Sequence, residues 1–347
     1  MSGGRALCID SYDAATKRQR CGIPESWTGT SESVRLSSTR GPARSDGCMS
    51  RFSSGQPQID FWIIGAQKAG TTSLFEILRE HPDICMPETK EIHFFASEEF
   101  WSQGPAYLPP HFPDLDCEKL LGGAYVHDIF FEESVQRMHA HNPNMRMIAM
   151  LRNPIDRAYS AYWFARRNGW ENAATFEEGL EREEARLSGR RQEQSELTYF
   201  THGLYATQLR RFNERFGADR VHCELTEDLK SNPADVLART LKFLALPSNT
   251  VDLPTQKVTN TAGFPRFLTL QKILLGDSAM KRVARRLTTN KLRRRLKRSV
   301  IKPVQRMNIR SVQYEPMREE TRQMLRERYE APNAELEAML GRTLPWH

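Results

Sequence analysis

The stretch IDFWIIGAQKAGTTSLFEILREH, residues 59–81, restricts what this chain can fold into more than any other. It opens with a short apolar run, IDFWIIG, whose β-branched and aromatic content suits a strand buried on both faces. A glycine loop follows, Gly65 to Ser73, and then TTSLFEILREH carries helical periodicity. Strand, tight loop and helix in that order are the opening unit of a parallel α/β sheet.

The unit recurs. MRMIAMLRNP (145–154) reads as a second buried strand ending at a proline, and IDRAYSAYWFARR after it as a helix with Pro154 near its first turn. A third strand is predicted over 219–229, DRVHCELTEDL, followed by a helix through PADVLARTLKFLAL with Leu237, Leu241 and Leu244 on one face. The expected fold is α/β: a P-loop-like three-layer sandwich with a mostly parallel central sheet flanked by helices. Ligands of such sheets sit at the carboxyl ends of the strands, where both anion-binding motifs described next are found.

The first motif is the loop itself. Backbone N–H groups and the positive end of a helix make a ready anion site, and glycine lets the backbone approach a phosphate closely. A standard nucleotide loop reads GxxxxGK[ST]. Here Gly65 and Gly70 keep the spacing and Thr72 takes the hydroxyl position, but Thr71 fills the lysine slot and the lysine stands earlier, at Lys68. That displacement removes the usual lysine of an ATPase. The second motif, LRNPIDRAYSAY (151–162), puts Arg152 at a strand end and Ser160 in the next helix. A guanidinium fork with a neutral hydroxyl suits a terminal phosphate monoester. Arg157 between them could add to the same phosphate site, but reads first as a structural salt bridge.

In order along the chain, GAQKAGTTS, KEIHFF (90–95), LRNPIDRAYSAY, YFTHGLYATQL (199–209) and a terminal GRTLPWH resemble the sulfotransferases that use 3′-phosphoadenosine 5′-phosphosulfate (PAPS), and among them the heparan sulfate glucosaminyl branch with its 3-O-sulfotransferases. The resemblance runs from about Ile59 to His347. It implies that Gln67, Lys68, Ala69, Gly70, Thr71 and Thr72 hold the 5′-phosphosulfate and that Arg152 and Ser160 hold the 3′-phosphate. It implies in-line transfer of the sulfuryl group to a hydroxyl or amine acceptor, with a saccharide expected and no metal required. Lys68 is the expected electrostatic stabiliser, Glu91 the base, and His93 a second base or an acceptor contact. Tyr205 and Gln208 match family positions but are expected to pack. One departure stands out: relatives carry a GEKTP-like segment where this chain has GGAYVHDIFF (122–131), so Gly123 replaces a glutamate and His127 or Asp128 would have to compensate.

Composition sets the remaining expectations. Hydrophobic residues at 39% and charged residues at 27% are ordinary for a folded globular chain. Residues 1–57, rich in Ser, Gly and Arg, are expected to form a disordered tail before a catalytic domain at 58–347. Fifty Lys and Arg against 43 Asp and Glu give +7, which favours anionic partners. Between 266 and 310, fifteen basic residues face a single acid, Asp277. Read as a basic helical segment, this is a solvated face, an acceptor surface or a peripheral contact with an anionic membrane. It lacks the interleaved aromatics of a nucleic-acid binder, and none is expected. Six scattered cysteines without a CxxC pair, no apolar run of about 18 residues and no basic-then-apolar leader point to a cytoplasmic enzyme. Two other readings stay open at this level: a nucleotide- or anionic-glycan-binding module that has lost catalysis, and a P-loop kinase or NTPase.

Overall fold

The computed structural model describes residues 57–112, 115–116, 118–247 and 315–346, together with the backbone of 263–265 and 309–311. The tail expected over 1–57 lies outside the described residues except for Pro57, and so does the basic segment at 266–310 except for the backbone of Ile309 and Arg310.

Five parallel strands form the central sheet: β1 (Phe61–Gly65), β2 (Ile84–Cys85), β3 (Leu120–Ala124), β4 (Arg146–Leu151) and β5 (Val221–Leu225), in the order β2-β3-β1-β4-β5. β1 and β4 are apolar along almost their whole length because helices cover both faces of the sheet. Helix α1 (Thr71–Arg79) follows β1, α2 (Glu132–His141) precedes β4, and α3 (Pro154–Asn168) follows β4. Further along lie α4 (Arg191–Glu196), α5 (Tyr205–Phe216), α6 (Thr226–Ser231), α7 (Pro233–Phe243) and the long α8 (Glu319–Leu340). A separate antiparallel pair joins β6 (Gly263–Pro265) to β7 (Ile309–Ser311). The chain builds leftward from β1 and then returns to build rightward. The crevice at the carboxyl ends of β1 and β4 is therefore the point where the winding reverses, the usual ligand position in such sheets.

Local chemistry explains where the helices start. Asn153 caps α3, its side chain accepting from the backbone N–H groups of Ile155 and Asp156, and Pro154 occupies the first turn, where no donor is needed. Asn232 caps α7 in the same way, ahead of Pro233. The predicted strand over 219–229 is shorter than expected. It ends at Leu225, and TEDLKS turns into α6, whose first residue, Thr226, ties the turn to the loop after β1 and to the end of β4 by bonding its hydroxyl to the Ala69 and Leu151 carbonyls (2.7 and 2.8 Å).

Sequence patterning did not reveal β3, since LLGGA has little strand propensity. Its neighbours account for it. Phe61 pairs with Gly122 and Trp62 with Gly123, and a Cβ at either glycine would lie 2.1 or 2.0 Å from the facing ring. Both rings are fully buried, so the glycines are the space in which the strand-1 aromatics sit. Trp62 then donates from its indole nitrogen to Asp128 Oδ2 (2.7 Å). A side chain has no room at 123, and the chain places a buried carboxylate at 128 that accepts from the same indole.

Asp128 gives a test of this packing. It is wholly buried, and desolvation pushes its pKa up to about 8 against the opposing hydrogen bonds from Ser134 and Trp62. The native state thus keeps a proton that the unfolded chain releases near 3.8, and stability falls as pH rises between those values. Asp128→Asn keeps an acceptor for Trp62 and a partner for Ser134 without the charge. Its Tm should exceed that of the wild type at pH 8.5, with the gap narrowing towards pH 5. A constant gap, or a variant less stable at both values, would contradict the assignment.

Candidate functional site

The loop between β1 and α1 is tied into the sheet at several points. Ala66 N–H donates to the Met150 carbonyl (2.7 Å), and Arg152 Nη1 donates to the Lys68 carbonyl (3.2 Å). Lys68 is held in the left-handed region (φ 68°), as is Gly70 (φ 86°), the N-cap of α1. A lysine there costs about 1 kcal/mol relative to an ordinary conformation, so contacts around the loop must hold it. Gly70 offers no side-chain cap and the first turn of α1 contains no acidic residue, which leaves the positive end of the helix open to an anion. Ala69 and Thr71 are buried, whereas Thr72 is exposed at the helix start.

Three cations converge here. Lys68 Nζ lies 4.6 Å from the Phe164 ring centroid, and the Arg167 guanidinium 5.3 Å from the same ring. Burial lowers the Lys68 pKa to about 8, and the Arg167 and Arg152 charges push in the same direction. A cluster that represses its own lysine would be relieved by a bound anion. With the open helix end, this fits a phosphorylated ligand. Phe164 and Arg167 escaped the sequence reading. The signal was there: Ser160, Phe164 and Arg167 recur at i, i+4 and i+7, one face of α3. Ser160, half-buried, lies on that face one turn from Phe164.

Behind the site, packing fixes Arg152. Tyr205 OH donates to the Arg152 carbonyl (3.0 Å), and Trp346 from the terminal residues packs near Tyr205 at 6.0 Å between ring centroids. Gln208 is buried and donates to the Thr201 carbonyl (2.9 Å). Both residues pack, as expected. The reading of Arg157 is corrected. It is fully buried, donates to the Tyr199 carbonyl and has no carboxylate partner among the described residues, and its Nε and Nη1 find no hydrogen bond. It shares the buried face of α3 with Ala161 and Ala165, away from the surface where a salt bridge would form.

On the other side of the crevice, the segment after β2 lies against the end of β3, with Ile92 N–H bonded to the Ala124 carbonyl (3.0 Å). Glu91 has a left-handed backbone (φ 73°) and both of its oxygens are engaged, Oε1 by Lys90 Nζ (2.6 Å) and Oε2 by Val126 N–H (3.1 Å). His93 packs one face on Tyr125 (4.2 Å between centroids) and keeps an edge exposed, and the covered face lowers its pKa. No hydrogen bond to its ring is found among the described residues. His127 is buried, with Nε2 3.4 Å from Glu196 Oε1. Glu196 in turn accepts from Gln67 Nε2 (2.7 Å). The structure thus gathers Gln67, Lys68, Glu91, His93 and Arg152 at one crevice. It adds Phe164, Arg167, Glu196 and Thr226, which come from elements far from the loop in sequence.

A glycine loop at one strand end thus lies beside a second, cationic strand end, and a sulfotransferase domain family matches residues 58–306, well over half of the chain. The chain belongs to the sulfotransferase family. A sulfotransferase from Alicyclobacillus acidocaldarius has a similar structure, with a TM-score of 0.50 at 29% identity, covering 65% of this chain and 98% of that one. Human heparan sulfate glucosamine 3-O-sulfotransferase 6 is 29% identical over 208 residues, 58% of this chain and 56% of that protein. Human bifunctional heparan sulfate N-deacetylase/N-sulfotransferase 1 is 30% identical over 206 residues, 55% of this chain but 22% of that protein. The chain therefore spans well under two thirds of the length of these curated relatives.

The family corrects one expectation. A Dictyostelium discoideum relative, 33% identical over 109 residues covering 30% of this chain and 23% of its own length, is the membrane-associated sulfotransferase kil1, so the cytoplasmic location inferred from the sequence does not hold. No helix among the described residues is long and apolar enough to cross a membrane. Location was not legible because the spacing of cysteines and the apolar content of a catalytic domain do not report where that domain works.

Proposed function

We propose that this sulfotransferase takes the sulfuryl group from PAPS and transfers it to a hydroxyl or amine of a saccharide, through a catalytic domain spanning 58–347. One observation carries the reading: two anion-binding elements, the open end of α1 with Lys68 and the β4 end with Arg152, are joined by the Arg152 to Lys68 hydrogen bond into one cationic crevice. A nucleotide with phosphates at both its 5′ and 3′ positions needs two such elements, and ATP needs one. The kinase or NTPase reading is not favoured, since Thr71 occupies the lysine slot.

PAPS, when bound, supplies the activated sulfuryl group. Gln67 to Thr72 would hold its phosphosulfate end and Arg152 with Ser160 its 3′-phosphate. Lys68 would supply the positive charge that stabilises the departing phosphate, in a partly dry site where that charge is costly to leave bare. Glu91 receives the proton of the attacking acceptor, with His93 beside it contacting the acceptor. A second reading of the base, His93 itself, is favoured by the engaged oxygens of Glu91 and the open ring of His93. A saccharide acceptor is supported by the likeness to the two heparan sulfate enzymes. The test is transfer from radiolabelled PAPS to a panel of N-sulfated, N-acetylated and free-amine glucosaminyl oligosaccharides, beside phenols and simple alcohols. Label on a saccharide supports the reading. Label only on phenols or alcohols removes the saccharide, and binding without transfer to any acceptor favours a module that has lost catalysis.

A further inference from the structure

Glu196 has no role in the transfer described so far, yet it touches the phosphosulfate loop. It ends α4, more than a hundred residues from that loop in sequence, and its side chain is 18% exposed. Oε2 accepts from Gln67 Nε2 at 2.7 Å, and Oε1 faces His127 Nε2 at 3.4 Å. Gln67 and His127 are themselves nearly sealed from solvent, at 7% and 1%. Both oxygens of Glu196 are directed at Gln67 and His127, away from the acceptor side of the crevice where Glu91 and His93 stand. It is well placed to fix Gln67. Lys68, the next residue, is held in a left-handed conformation, with its carbonyl bound by Arg152 on one side and Gln67 anchored by Glu196 on the other.

Resting on the PAPS reading above, we propose that Glu196 is a positioning residue of the transfer site, which clamps Gln67, through it the backbone at Lys68, and sets a counter-charge beside Lys68 and His93. The electrostatics agree. Arg167 from α3, Arg152 from the end of β4 and Lys90 from the segment after β2 all push the Lys68 pKa down on top of burial, and Glu196 opposes them. Around His93, Glu91 and Glu196 raise the pKa while His127 lowers it. A carboxylate next to an anion site would weaken the ligand if it pointed into the site. Held sideways by Gln67 and His127, it keeps Lys68 charged without occupying the ligand's place.

The experiment measures the affinity of full-length wild type, Glu196→Gln, Glu196→Ala, Gln67→Ala and the Glu196→Ala/Gln67→Ala double variant for 3′-phosphoadenosine 5′-phosphate (PAP) between pH 6 and 9. Wild-type preference for PAP over AMP establishes the parent reading independently. Its absence sinks that reading and this one together. In the wild type, affinity should fall as pH rises past about 8, where Lys68 loses its proton, and Lys68→Met should abolish that fall. In Glu196→Gln, similar in shape but neutral, the fall should begin at a pH lower by about half a unit to one unit, a change that loss of packing alone would not produce. At pH 6, Glu196→Ala and Gln67→Ala should each weaken PAP by about 10-fold and the double variant by no more than the worse single one. An unshifted pH midpoint in Glu196→Gln, or additive losses in the double variant, would overturn the proposal.

Discussion

Lys68→Met should lower the rate of sulfuryl transfer by about 10²–10³-fold, the usual effect of removing one preorganised group that stabilises developing charge. The same change should leave the melting temperature at pH 6.5 equal to or above that of the wild type. The sign follows from the lowered pKa. The folded protein holds the Lys68 proton less tightly than the unfolded chain, so below about 8 the charged amine opposes folding, and stability contributed by its loss appears only as pH rises through that value. Methionine fills the same volume over the Phe164 ring without the charge. A variant that is both inactive and no less stable marks Lys68 as a group held for the reaction. One that loses stability while keeping its rate would show that Lys68 is part of the packing.

The proton should leave the acceptor through Glu91, and Glu91→Gln should cut kcat by about 10²–10⁴-fold with little change in PAP affinity, as expected for loss of a general base. Glutamine keeps the length of the side chain and its one carbonyl oxygen can still accept from Val126 N–H at the cost of the Lys90 bond, so the left-handed turn at 91 should survive. His93→Asn is the companion measurement. A smaller loss in His93→Asn than in Glu91→Gln supports Glu91 as base and His93 as an acceptor contact. A larger loss, with the acid limb of the rate profile abolished, would transfer the role to His93, whose lowered pKa keeps it neutral and able to accept a proton near pH 7. Neither outcome depends on knowing the natural acceptor, provided one saccharide takes label.

Much of this architecture was legible because the central strands are buried on both faces. Burial forces the uninterrupted apolar runs at 61–65 and 146–151, and Asn153 with Pro154 marks the start of α3 in the sequence itself. β3 was not legible, because its glycines answer to the rings of Phe61 and Trp62 on another strand. The residues proposed for the phosphates came from local motifs, each within a dozen consecutive residues. Glu196 and Thr226 could not be found that way, since each reaches the loop from a different element and no spacing links them to it. Arg157 misled for the opposite reason: its place in a surface-looking helix start hides the fact that α3 turns that face inward, under Tyr199.

The most direct test of the central claim is calorimetric binding of PAP, AMP and ATP to the wild type and to Arg152→Ala. The two-site crevice predicts that the wild type binds PAP far more tightly than AMP, the two differing only in the 3′-phosphate, and more tightly than ATP. It also predicts that Arg152→Ala loses most of that preference while binding AMP nearly as well as before. Equal affinity for PAP and ATP, unchanged by the substitution, would contradict it.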